Sequence, residues 1–215
     1  MRFRRIVIST LALCPMVSAV GLAQGAGTKV HFGVLAGATF AKLGGKDTEG
    51  ENIKNRTGFA GGGFVGLGVS KNFEIEPEVL FVQKGAKASE TGFTENLKVS
   101  YVEVPVLLKL RFPGKSGGTV VPHIYAGPYL GFKAGCHLSG TEGSTSFSGN
   151  CADEDFNIKS TDFGATFGGG VDVGRAIIDV RYDLGFSKIS DDVSSNDIKT
   201  RTLYLLVGWT FRPAH

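Results

Sequence analysis

The stretch Phe73–Gly85, FEIEPEVLFVQKG, places an acid at every second position from Glu74 through Glu76 to Glu78. Phe73, Ile75, Pro77, Val79 and Phe81 stand between and beyond them. A period of two is the mark of an extended strand whose successive side chains point to opposite faces. One face of this strand is apolar and aromatic, and the other is anionic. Which solvent each face meets decides the fold.

The same period recurs along the chain. In 175–189, RAIIDVRYDLGFSKI, the residues Ile178, Val180, Tyr182, Leu184 and Phe186 share one face, while Asp179, Arg181, Asp183 and Ser187 share the other. In 101–112, YVEVPVLLKLRF, Val102, Val104, Val106, Leu108, Leu110 and Phe112 oppose Glu103, Lys109 and Arg111. The last such segment, LYLLVGWTF, aligns Leu203, Leu205, Val207, Trp209 and Phe211. Strands are expected over 30–42, 57–70, 73–85, 98–112, 119–134, 160–174, 176–188 and 200–212. Their connections alternate in length. Those at 71–72, 113–118 and 174–175 are tight; those at 44–56, 86–97, 135–159 and 189–199 are long, polar and rich in Gly, Ser and Asp. This is the layout of an all-β, eight-stranded antiparallel up-and-down barrel with one plain end and one elaborate end.

A soluble eight-stranded barrel of the lipocalin kind turns its apolar face inward, whereas a membrane barrel turns it to lipid. The aromatic residues discriminate. Phe32, Phe73, Phe112, Trp209 and Phe211 fall near the plain end, and Phe40, Phe59, Phe81, Phe132, Phe163 and Phe186 near the other. These form two girdles. The eight-residue steps Phe32 to Phe40 and Phe73 to Phe81 correspond to about 20 Å along the membrane normal for tilted strands. A water-soluble barrel has no reason to sort its aromatics so, and the pattern predicts a transmembrane barrel.

The N-terminus agrees with export. Residues 1–23 carry Arg2, Arg4 and Arg5, an apolar run from Ile6 and small residues leading to Ala23, the form of a cleaved signal peptide. The run is too short to span a bilayer as a helix. Leu13 before Cys14 and Pro15 after it argue against lipidation of that cysteine. Residues 24–215 then form the barrel domain. Loss of the three arginines lowers Lys+Arg from 23 to 20, equal to the 20 acids, so the basic balance gives no support for nucleic-acid binding. Of 3 cysteines, Cys136 and Cys151 remain, and in an oxidising compartment the pair reads as a disulfide within a long loop.

With the aromatic face on lipid, Glu74, Glu76 and Glu78 face the lumen, together with Lys109, Arg111, Asp172, Asp179, Arg181 and Asp183. Matching Phe73 to Phe112 sets Glu74 opposite Arg111 and Glu76 opposite Lys109. A ring of eight strands is wide enough only for its own side chains, so a salt-bridged plug is expected. Pro77, Pro105, Pro122 and Pro128 fall within strands, where bulges or gaps in the ladder must accommodate them. The runs Gly61-Gly62-Gly63 and Gly168-Gly169-Gly170 lack the Lys-Ser/Thr and helix of a phosphate loop, and read as relief of crowding in a narrow barrel.

The blocks EPEVLFVQKGAK, YVEVPVLLKLRF and PHIYAGPYLGF, in that order, resemble the PorT-like outer-membrane β-barrel family of Gram-negative bacteria. Glu78, Gln83, Lys84 and Gly85 carry the first block, Tyr101, Glu103, Pro105 and Lys109 the second, and Ala126, Gly127 and Pro128 the third. The resemblance implies an eight-stranded outer-membrane barrel of the small OmpA/OmpX type, with in-strand prolines as a family trait and no common enzymatic activity, cofactor or ligand. It also implies outer-membrane lipid and the barrel-assembly machinery as partners. The terminal strand ends Val207-Gly208-Trp209-Thr210-Phe211, like the aromatic strand that machinery reads, although Arg212 to His215 follow it.

Three functions compete. The first is a non-enzymatic barrel with a filled lumen, structural or binding a surface ligand or protein through its long loops. The second is a narrow small-solute or ion channel, which needs a bore that Tyr125, Tyr129, Glu76, Lys109 and Arg181 are placed to fill. The third is a membrane-embedded hydrolase or acyltransferase. Of His31, His123, His137 and His215 only His137 lies in a long loop, near Asp153 and Asp155, without a nucleophile motif. Asp153-Glu154-Asp155 lacks the spacing of a calcium loop, and the sequon Asn55-Arg56-Thr57 carries no weight in a bacterial chain. The first reading is preferred.

Overall fold

The computed structural model describes residues 29–44, 53–90, 93–114, 119–151, 159–187 and 199–211. The expected signal peptide, residues 1–23, lies outside the described residues, as do Asp153 and Asp155. Nine strands form: β1 (Val30–Gly44), β2 (Ile53–Gly68), β3 (Phe73–Glu90), β4 (Phe93–Arg111), β5 (Val120–Glu142), β6 (Thr145–Asn150), β7 (Thr161–Val173), β8 (Ala176–Gly185) and β9 (Lys199–Phe211). All pair antiparallel. Eight of them close a ring in chain order, β4 against β5 and β9 back against β1. The ninth, β6, stands outside that ring. β5 gives its edge to β7 over Val120–Phe132, then to β6 over His137–Glu142.

The faces follow the alternation. Leu108, Val180, Leu205 and Val207 are about half exposed on the outside, and Glu76 and Arg181 are only 2% and 1% exposed within. Phe32, Phe59, Phe112, Phe132, Phe163, Phe186, Trp209 and Phe211 are all exposed. Phe40, Phe73 and Phe81 lie half-buried among their outward neighbours. Phe32 packs on Phe211 at one end (ring centroids 5.6 Å), and Phe59 on Phe81 (5.5 Å) at the other. Phe167 and Tyr182 form an aromatic contact at 5.5 Å between the two belts, so the aromatics are not confined to them. A continuous apolar exterior of this extent suits hydrocarbon rather than water.

Three sequence expectations change. Residues 86–97 are not a long loop: β3 and β4 continue to Glu90 and from Phe93, because paired strands satisfy backbone groups beyond the membrane as well as within it. The segment 135–159 likewise begins as a hairpin, β5–β6, turning at Gly143, whose positive φ of 59° suits glycine. The β3–β4 register is offset by two residues from the expected one. Phe73 faces Leu110 rather than Phe112, Glu74 faces Lys109 and Glu76 faces Leu107.

The prolines sit at interruptions. The β3–β4 ladder runs to Pro77↔Val106 and resumes at Leu80↔Glu103. The β4–β5 ladder breaks between Pro105↔Tyr129 and Leu108↔Ala126, opposite Gly127 and Pro128. Pro122, by contrast, stays paired with Val171.

Val180→Arg, which puts a guanidinium on the lipid face midway along β8, should cost about 2–4 kcal/mol of folding stability in lipid vesicles, measured by reversible urea unfolding. An unchanged stability would mean that this face does not meet hydrocarbon.

Candidate functional site

The lumen holds the chemistry of the molecule. The inward phase of β3 runs from Glu74 through Glu76 and Glu78 past Leu80 and Val82 to Lys84, all buried. β4 supplies Lys109 and Glu103, β5 supplies His123, Tyr125 and Tyr129, β7 supplies Asp162 and Asp172, β8 supplies Asp179, Arg181 and Asp183, and β9 supplies Tyr204. These groups pair in layers along the barrel axis.

At the plain end Arg111 lies between two acids, 2.7 Å from Asp172 and 3.6 Å from Glu74. His31 Nε2 is 3.3 Å from Glu74 Oε1. Lys109 Nζ meets both Glu76 oxygens at 2.9 Å. The expected partners, Glu74 with Arg111 and Glu76 with Lys109, therefore do meet, but across a diagonal: the basic side chains lean back two residues to reach acids that are not directly opposite. Residues two apart on neighbouring strands lie within reach of long side chains.

One layer further in, His123 is enclosed, with Nδ1 3.4 Å from Asp172 and Nε2 3.2 Å from Asp179. Tyr125 Oη donates to Asp179 at 3.2 Å. Arg181 then grips Glu78 through two parallel bonds of 2.6 and 2.8 Å, and its Nε donates to Tyr125 Oη. A bidentate guanidinium–carboxylate pair is the strongest form of this contact.

Toward the long connections Lys84 Nζ faces three carboxylates: Glu103 at 2.5 Å, Asp162 at 3.3 Å and Asp183 at 3.6 Å. It also lies over the Tyr129 ring, 4.5 Å from the centroid. The short residues of β7 make this filling feasible. A Cβ at Gly168 would stand 2.6 Å from Tyr125 Oη, and one at Gly164 would stand 2.7 Å from the Tyr129 ring. Glycine on one strand thus matches tyrosine on the next.

A cavity of about 20 Å³ lies at the plain end, lined by His31, Glu74, Lys109, Arg111 and Asp172 among others. That is room for roughly one water. His31, Glu74 and Glu76 bring three potential ligand atoms within 4.8 Å of one another there. Both acids are already held by Arg111 and Lys109, which leaves the trio poorly suited to a cation.

Outside the ring, Cys136 and Cys151 form a disulfide (Cα–Cα 5.5 Å) at the base of the β5–β6 hairpin, packed on Val99 and Tyr101. His137 Nε2 lies 3.0 Å from Ser148 Oγ on that hairpin, with both residues exposed. A surface cleft of about 340 Å³ is lined by Lys87, Thr94, Asn96, Ser139, Ser146 and Phe147 among others.

The sequence places Glu74, Glu76, Glu78, Lys109, Arg111, Asp172, Asp179, Arg181 and Asp183 in the lumen, and the structure buries or half-buries all of them there. Sequence reasoning passed over Lys84, His123, Asp162 and Tyr204. Phase could have found them: Lys84 continues the step of Glu74, and Asp162 the step of Asp172.

Residues 22–191 match the family model described as outer membrane protein beta-barrel domain. Among solved structures the chain is similar to Ail, the attachment invasion locus protein of Yersinia pestis, at 15% identity over 85% of this chain and 99% of that one, with a TM-score of 0.44. It is similar to Neisserial surface protein A at 14% identity over 84% and 97%, with a TM-score of 0.45. It is also similar to OprG of Pseudomonas aeruginosa at 10% identity over 86% and 94%, with a TM-score of 0.39. No curated protein sequence matches.

Arg181→Met leaves Glu78 buried without its partner and should cost roughly 3–5 kcal/mol by urea unfolding in lipid vesicles. The double variant Arg181→Met with Glu78→Leu should recover most of that loss. A double variant as unstable as the single one would show that packing, not pairing, carries the effect.

Proposed function

Since the chain belongs to the outer-membrane protein β-barrel domain family, residing in the outer membrane, we propose that it is a closed, non-enzymatic barrel that displays its extended strands as a binding surface. The observation that carries this reading is the filled lumen. Arg181, Lys84, Tyr204, Glu76, Glu78 and Glu103 occupy the bore with 2% exposure or less. Solute passage through such an interior would have to break buried ion pairs, which is costly.

The surface assigned to binding is the outer part of β3–β6. Its cleft combines hydroxyls of Thr94, Ser139 and Ser146, the amide of Asn96, the ammonium of Lys87 and the ring of Phe147. Hydrogen-bonding groups around one aromatic ring suit a polar ligand such as a glycan. The disulfide holds the hairpin that forms one side of this cleft. His137 and Ser148 stand on an open edge, without the enclosed, water-excluding site that acyl transfer needs, so we assign them no catalysis. Within the broader family we place the chain with the PorT-like barrels on the three sequence blocks, and we assign the aromatic end of β9 to recognition by the barrel-assembly machinery.

Purified protein in planar bilayers should show no steady conductance, for wild type and for Glu76→Gln alike. A stable ohmic current in the wild type would sink the closed-barrel reading. Deleting 139–148 should leave the folded barrel intact by heat-shifted electrophoretic mobility while abolishing any binding to an immobilised glycan array. Retention of all wild-type binding after that deletion would remove the hairpin from the surface.

A further inference from the structure

The contacts around Tyr204 offer more acceptors than the phenol has protons. Tyr204 Oη lies 2.6 Å from Asp183 Oδ2 and 3.2 Å from Glu103 Oε2. A tyrosine hydroxyl carries one hydrogen and donates it to one acceptor. With both carboxyls ionised, the second contact would set oxygen lone pairs against each other. All three residues are buried, at 0%, 3% and 1% exposure for Tyr204, Asp183 and Glu103, so water is poorly placed to relieve it.

The charges and the remaining hydrogen bonds point the same way. In this layer Glu103, Asp162 and Asp183 face a single ammonium, that of Lys84. Asp162 accounts for itself as an anion, because Tyr129, Thr200, Ser187 and Lys84 all donate to it. Glu103 and Asp183 are left to share what balance Lys84 provides. Asp183 Oδ1 is buried without a hydrogen-bond partner, which a neutral carboxyl group tolerates far better than an anion does.

We propose that Glu103, Tyr204 and Asp183 form a proton-binding site, in which one proton beyond the phenol's own is shared between the two carboxyls through Tyr204 Oη. In one arrangement Asp183 donates to Tyr204 and Tyr204 donates to Glu103; in the other the direction is reversed. Either way every contact has one donor and one acceptor. The proton is shared and belongs to neither acid alone. From the site, contacts lead through Lys84 and Asp162 to half-buried Ser187, just past the end of β8. The site does not depend on whether the outer hairpin binds a ligand.

Infrared spectroscopy of the full chain in lipid vesicles at neutral pH tests this. The wild-type spectrum should contain a protonated-carboxyl C=O stretch that Asp183→Asn and Glu103→Gln each remove, since the single acid left in either variant can accept from Tyr204. Tyr204→Phe, which keeps both acids but deletes the bridge, should move the same component. Absence of the component from the wild type, its persistence in either acid variant, or an unmoved component in Tyr204→Phe would each overturn the proposal.

Discussion

An eight-stranded ring has a bore no wider than the side chains that line it, and this one is lined with ions. Eight carboxyl groups are buried among the described residues, against Lys84, Lys109, Arg181 and the half-buried Arg111. An ion taken from water into such an interior must find its partners within the ring. The layering meets that demand locally. Each strong cation reaches at least one acid, Tyr204 bridges Asp183 and Glu103, and His123 lies between Asp172 and Asp179. The exterior, free of this obligation, is uniformly apolar where it meets lipid.

The same constraint explains the composition of β7. Its inward positions carry acids only at the two ends, Asp162 and Asp172, with Gly164, Thr166, Gly168 and Gly170 between them, and these small residues leave the volume that Tyr125 and Tyr129 occupy from β5. Bulk on one strand and its absence on the next are two halves of one packing decision. Adding a methyl group at Gly168 or Gly164 would push on the β8 backbone and on a tyrosine whose hydroxyl already serves Asp179 or Asp162.

What could be read from the sequence, and what could not, divides along physical lines. The facing of Glu74, Glu76 and Glu78 was legible because lipid and lumen demand opposite chemistry at alternate positions. A slip of one residue would have reversed every side chain. A slip of two leaves the alternation untouched, and so the pairing of Phe73 with Leu110 instead of Phe112 was invisible to it. The outer ends of β3 to β5 were missed for a related reason. Beyond the bilayer both faces of a strand meet water, the contrast that produces the period vanishes, and a Gly-, Ser- and Lys-rich strand looks like a loop. Lys84, Asp162 and Tyr204 were readable in phase, yet their convergence needed three strands to be brought together. No local pattern reports that.

The transfer of β5 from one neighbour to another has a consequence for shape. β3, β4, β5 and β6 rise past the ring as a connected palisade on one side, whereas β8 ends at Gly185 and β7 begins only at Thr161. A neighbour that approaches from the β3–β6 side meets this tall polar fence, so its encounters there depend on bearing as well as distance.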